Sequence, residues 1–106
     1  MDNLEVAMGL IAGAGDSRSY CMEAIDCARE GDFDKAREAV DKAVAAMVET
    51  HEIQTQLIRD EVEGKGGAVS LIMVHAQDHL NLALVMRDVA EEFINLYERI
   101  SRLEGK

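Results

Sequence analysis

Aromatic side chains are scarce in this 106-residue chain, with no Trp, two Tyr and two Phe. A core must therefore be built from Leu, Ile, Val, Met and Ala. Basic residues are scarce too: eleven stand against twenty-one acids, for a formal charge of −10. Phosphate backbones are repelled by such a surface, which argues against nucleic-acid binding. An anionic membrane face is disfavoured on the same ground. No apolar run reaches the ~18 residues a membrane span needs. The opening Met1-Asp2-Asn3-Leu4-Glu5 lacks the basic segment of a secretory leader, so a cytoplasmic protein is expected. Cysteine is limited to Cys21 and Cys27. Six residues along one helix rise ~9 Å, beyond the ~7 Å Cα limit for a disulfide, so both read as small apolar residues. No CxxC or Cys/His spacing points to zinc. The length suits one domain, residues 1–106.

What is present reads as three helices, an all-α bundle in antiparallel up-down order. The first covers about residues 2–30, with Leu4, Ile11, Met22, Ile25 and Ala28 near one face and Cys21 alongside. Gly9, Gly13 and Gly15 fall inside it, and a kink or break is expected near 13–17, where Gly15-Asp16-Ser17 could end one helix and cap the next. Gly13-x-Gly15 lacks a third glycine and a preceding strand, so it is no dinucleotide loop. Small residues that let another helix approach closely are the better explanation.

Gly31-Asp32 marks a turn, with Asp32 as N-cap of a second helix over about 33–63. Phe33, Ala36, Val40, Ala43, Val44, Met47, Leu57 and Ile58 recur along it at helical spacing. Gly64, Gly66 and Gly67 form the second break. A third helix is expected over about 69–103. One line along it is Leu71, His75, Asp78, Leu82, Val85, Val89, Leu96 and Leu103, while Ile72, Met73, Ala76, Leu80, Ala83 and Phe93 fill neighbouring arcs. That apolar surface is wider than the ~100° stripe a three-helix bundle requires, so self-association through this helix is inferred. The five internal methionines, Met8, Met22, Met47, Met73 and Met86, read as core filler, with Met22 or Met73 also able to adapt to a partner.

Chemistry concentrates in Val74-His75-Ala76-Gln77-Asp78-His79-Leu80. Histidines at i and i+4 lie ~40° apart on a helix, so both can face one site. Asp78 sits inside the apolar seam, where a carboxylate is costly unless it meets a cation, a metal or donors. Three readings follow: a polar layer that sets helix register, a zinc site on the histidine pair, or a phosphoryl-carrying histidine. The metalloprotease pattern needs Glu directly after the first His, and Ala76 stands there. Spacing alone leaves the choice open.

The stretch from Leu71 to Leu80 resembles the signature of the lactose/cellobiose-type IIA components of the bacterial phosphoenolpyruvate-dependent sugar phosphotransferase system. Ala14-Gly15-Asp16-Ser17-Arg18-Ser19 is similar to that family's first-helix segment. Glu49-Thr50-His51-Glu52-Ile53-Gln54-Thr55-Gln56-Leu57-Ile58 is similar to its second-helix pattern. The resemblance implies a homotrimer of nine helices, with His75 accepting a phosphoryl group from the histidine phosphocarrier HPr and passing it to a cysteine of the cognate IIB component. It implies Gln77 and His79 as supporting neighbours. It also implies that three copies of Asp78 hold a divalent cation, usually magnesium, near the trimer axis. His51 and Gln54 match the pattern without a definite role. The imported sugar, of the lactose, cellobiose or chitobiose type, is not recorded in a carrier that need not touch it. The competing class is a non-catalytic helical oligomer or adaptor in which His75 and Asp78 only set register. A histidine phosphotransfer domain of two-component signalling would instead place Lys and Gly shortly after its histidine.

Overall fold

Glycine stops and polar caps divide the chain into three helices. The structure, a computed structural model, describes residues 3–106. Helix α1 spans Asn3–Arg29, α2 spans Phe33–Val62 and α3 spans Leu71–Leu103. The expected start of α1 at Asp2 lies outside the described residues. At the α1 terminus Gly31 takes φ +85°, donates to Ala28 at 3.0 Å and lets Asp32 donate to Cys27 at 2.9 Å. That left-handed residue satisfies the last carbonyls and reverses the chain. Asp32 then caps α2 by accepting from the Lys35 amide at 3.2 Å. Gly64, at φ +77°, closes α2 in the same manner. Helix α3 begins at Leu71, later than the expected 69, because the Ser70 hydroxyl accepts from the Met73 amide at 3.3 Å and fixes the start there.

The expected interruption near 13–17 is absent. Helix α1 is continuous, and the residue types that suggested a break are used in packing. Ser17 is fully buried and donates its hydroxyl to the Ala43 carbonyl of α2 at 2.8 Å. A Cβ on Gly13 would lie 1.9 Å from the Thr50 Oγ1 of α2. Gly13 thus permits the close helix approach that was expected, whereas Gly9 and Gly15 face open space.

The molecule measures 58 × 21 × 20 Å, with α1 packed along both other helices and α2 and α3 meeting much less. Its interior is rich in alanine: Ala7, Ala14, Ala76 and Ala83 surround Leu10 and Leu80, while Ala24, Ala28, Ala36 and Ala39 lie beside Ile94. Small side chains bring helix axes close together. The expected face of α1 is corrected in part. Cys21, Ile25 and Ala28 point inward as expected, but Leu4 and Met22 are exposed and Ile11 is half-buried, and Ala7, Leu10, Ala14, Ser17 and Ala24 complete the inward face. Met8 is exposed as well, so neither it nor Met22 is core filler; Met47 is buried. On α2, Val44 and Ile58 lie outside the core.

Helix α3 is apolar on two sides, as its pattern predicted. Ala76, Leu80, Ala83, Ala90 and Ile94 are buried against α1 and α2. Leu71, Leu82, Val85, Val89, Leu96 and Leu103 form a second, exposed stripe, with Leu71 86% exposed. Long aliphatic side chains outside and alanines inside leave much apolar surface wet within a single chain. No helix among the described residues is long and apolar enough to cross a membrane.

Candidate functional site

The inward register of α3 determines where its polar cluster points. With Ala76 and Leu80 buried, His75 and His79 fall one turn apart on the flank facing α1. Their rings meet edge to face with centroids 4.5 Å apart. The two Nε2 atoms approach to 3.0 Å. One of them must carry the proton and the other offer a lone pair. His75 is exposed and His79 half-buried.

His79 also lines an open groove of ≈ 560 Å³ between α1 and α3, walled by Ile11, Gly15, Arg18, Ser19 and Met22 and continuing to Glu23 and Asp26. Gly15 keeps the wall low at this point, since its missing side chain faces open space. Met22 lies in this groove. Met73 is instead half-buried against the bundle core and accepts a contact from Gln77 Nε2 at 3.9 Å. Arg18 and Ser19 are the site neighbours that residue patterns did not single out. Both lie within the stretch 14–19 that carried the family resemblance, but only the packing of α1 on α3 places them beside His79.

Gln77 follows His75 by two positions and so turns to the opposite flank of α3. Its Oε1 accepts from Gln54 Nε2 of α2 at 2.9 Å, and Gln54 also reaches Asn81 at 3.5 Å. Gln54 thereby has a definite place, bracing α2 against α3 where Thr50 and Gln54 interrupt the apolar stripe. His51 is exposed; its backbone carbonyl accepts from Thr55 Oγ1 at 3.0 Å. The structure therefore brings His79, and not Gln77, to the ring of His75.

Asp78 points away from both flanks. It is exposed on the outer stripe, one or two turns from Leu71, Leu82 and Val85. The ion pairs given by the described residues lie elsewhere. Among the described residues, no group of three or more His, Cys, Asp or Glu side chains is gathered to hold a metal within one chain. Neither cysteine is linked. Burial pushes the Cys21 thiol up from its ordinary value of 9.0, with Arg87 partly opposing the shift and Glu91 adding to it. Cys21 is thus the inert, small apolar residue its context predicted.

Fold and site define a class: a helical bundle that displays a histidine pair beside a groove and an unsatisfied apolar stripe on its longest helix. The family model for the PTS system, Lactose/Cellobiose specific IIA subunit, matches residues 5–98. The lichenan-specific phosphotransferase enzyme IIA component of Bacillus subtilis is 40% identical over 101 residues, covering 95% of this chain and 92% of its own. The crystal structure of the cellobiose-specific enzyme IIA of Bacillus anthracis superposes with a TM-score of 0.90 at 38% identity, across 96% of this chain and 94% of that one. The solution structure of the IIA(chitobiose)–HPr complex of the Escherichia coli phosphotransferase system matches with a TM-score of 0.80 at 36% identity, across 95% and 98% of the two chains. The chain belongs to the lactose/cellobiose-specific IIA family of the sugar phosphotransferase system, and its role is that of a phosphocarrier.

Proposed function

We propose that His75 is the phosphoryl-carrying residue, loaded by HPr and unloaded onto a cysteine of the cognate IIB component in the cytoplasm. The observation that carries this reading is the exposed His75 ring with its Nε2 held 3.0 Å from that of His79. A relay residue must be reached by two macromolecules in turn, and an exposed ring on a helix flank meets that need. In the receptive state His79 supplies the N–H of the contact and His75 the lone pair. As the His79 N–H swings away, the released His75 Nε2 lone pair attacks the phosphorus of the phosphohistidine donor; the new P–N bond forms as the donor's P–N bond breaks, and the donor leaves as imidazole. The cysteine thiolate of IIB then attacks the same phosphorus, a P–S bond forms, and His75 regains its lone pair. Little covalent machinery is required beyond positioning and charge stabilisation. The freed His79 N–H can turn to a phosphoryl oxygen, and the guanidinium of Arg18 offers positive charge from the opposite groove wall. Gln77 contributes indirectly, through the Gln54 brace that fixes the register of α3. Phosphorylation with phosphoenolpyruvate, enzyme I and HPr tests the reading: the phosphoryl group is expected on wild type and absent from His75→Ala.

The assembled state in this reading is a homotrimer. The exposed stripe on α3 supports it, because contact with further copies removes that aliphatic surface from water at about 25 cal/mol per Å². Asp78 of each copy would then hold a divalent cation, and all-oxygen donors favour a hard ion such as magnesium. When bound, that ion neutralises carboxylates that would otherwise repel one another. Its role is structural, and transfer passes through His75 alone. The sugar served is a β-disaccharide of the cellobiose, lactose or chitobiose type. The relatives' differing sugar names on one fold accord with a carrier that hands phosphate to a protein and leaves the sugar to others.

A further inference from the structure

We propose that the His75–His79 pair is a chelating site for a borderline divalent transition metal, with zinc, nickel or copper as the class of ligand, and that metal and phosphoryl group compete for it. The competition rests on the phosphoryl-carrier reading above; the binding itself does not. Two imidazoles on consecutive turns bring their Nε2 atoms within 3.0 Å of each other. Nitrogens at that separation, each about 2.0–2.1 Å from a shared zinc, subtend about 95° at the metal. Opening the pair by a few tenths of an ångström reaches the tetrahedral angle, and the unopened pair already suits the right angles of copper or nickel. Both rings then become Nδ1–H tautomers with their Nε2 lone pairs on the metal. No net proton needs to be lost when both start neutral: the single N–H of the contact moves to the other nitrogen of the same ring.

Exposure and charge favour the same outcome. His75 opens to solvent, so water can complete the coordination shell without rearrangement of the bundle. The groove beside His79 carries Glu23, and Asp26 paired with Arg29, alongside Arg18, while the chain as a whole has a formal charge of −10. Imidazole selects these metals over magnesium, which prefers oxygen donors. The pair is therefore distinct in chemistry from the carboxylate site proposed at Asp78. A metal on both Nε2 atoms takes the lone pair that a phosphoryl group would need, and a phosphoryl group on His75 removes one of the two ligands.

Zinc titration of the unphosphorylated full chain, in millimolar magnesium and without HPr, tests the site. One zinc per chain is expected. Affinity should fall about a hundred-fold or more in His75→Ala and in His79→Ala, because each variant loses the two-point attachment. It should be unchanged in His51→Ala. Circular dichroism confirms that each variant is folded, and His75→Ala, at an exposed position, keeps the comparison informative if His79→Ala unfolds. Wild-type affinity no better than that of His75→Ala, or zinc retained by both variants, overturns the site. Loading by HPr is then measured with and without zinc. Inhibition reversed by a chelator is expected, and undiminished loading at saturating zinc overturns the competition. Failure to load in the absence of zinc speaks only against the carrier reading.

Discussion

His79 is the residue that decides which face of the His75 ring is available. A 3.0 Å approach of two Nε2 atoms needs a proton on one of them. With the proton on His79, the contact keeps the His75 Nε2 unprotonated, and its lone pair is freed for attack when the His79 N–H turns to the incoming phosphoryl group. Replacing His79 by Ala is expected to slow phosphoryl loading by about ten- to a hundred-fold, the scale of one lost hydrogen bond to a charged group. Single-turnover loading from phosphorylated HPr measures it; an unchanged rate would remove His79 from the account. Cys21 illustrates the opposite case, a titratable group kept out of chemistry. Its pKa is raised by burial, so the folded protein holds the thiol proton more tightly than the unfolded chain. Its contribution to stability is complete below the ordinary thiol value and is lost as pH rises past it. Denaturant unfolding above pH about 9 should therefore show a stability loss that Cys21→Ala lacks. His75, Asp78 and His79 were legible as a cluster because they lie within one short stretch. Arg18 and the partner of Gln54 were not, since a residue pattern on one helix does not state which residues of another stand beside it.

Elements were legible where two local signals coincided. Gly31 with Asp32 both ends one helix and caps the next, and the turn falls there. At 13–17 the local signals pointed to a break, but tertiary packing prevailed: Gly13 makes room for Thr50 and Ser17 finds the Ala43 carbonyl. The inward face of α1 departs from its large-residue pattern at Leu4 and Met22, which lie outside, because alanine is compatible with either side of a helix and here fills the inner one. At Ser70 the cap was hidden behind the apolar Val69. Gly13→Ala is expected to destabilise the bundle by about 1–3 kcal/mol, the cost of inserting a methyl group into a packed contact. Chemical denaturation measures the loss, and Gly15→Ala, at an open position, serves as the contrast. A loss at position 15 matching that at 13 would contradict the close α1–α2 approach at Thr50.

At the scale of the whole molecule, the exposed apolar stripe on α3, with Asp78 and Glu92 set within it, supports the proposed assembly with further copies of the chain. The two-sided character of α3 was legible because large aliphatics occupied more of the helix than one bundle core could cover. The number of copies was not, since it depends on how whole subunits meet; three comes from the family likeness. Val85→Asp places a further carboxylate in the apolar part of the stripe and is expected to shift the protein from trimer to monomer mass in light scattering. Asp78→Leu is expected to keep the trimer and remove the drop in melting temperature that a chelator causes in wild type, because no like charges remain to be neutralised. Both expectations concern assembly, and the relay through the imidazole is the central claim. It is tested most directly by incubating the chain with phosphoenolpyruvate, enzyme I and HPr, then locating the acid-labile phosphoryl group by mass spectrometry. The account predicts one phosphoryl group per chain, on His75, which disappears when IIB is added. A group found on another residue, or one that persists in His75→Ala, would contradict it.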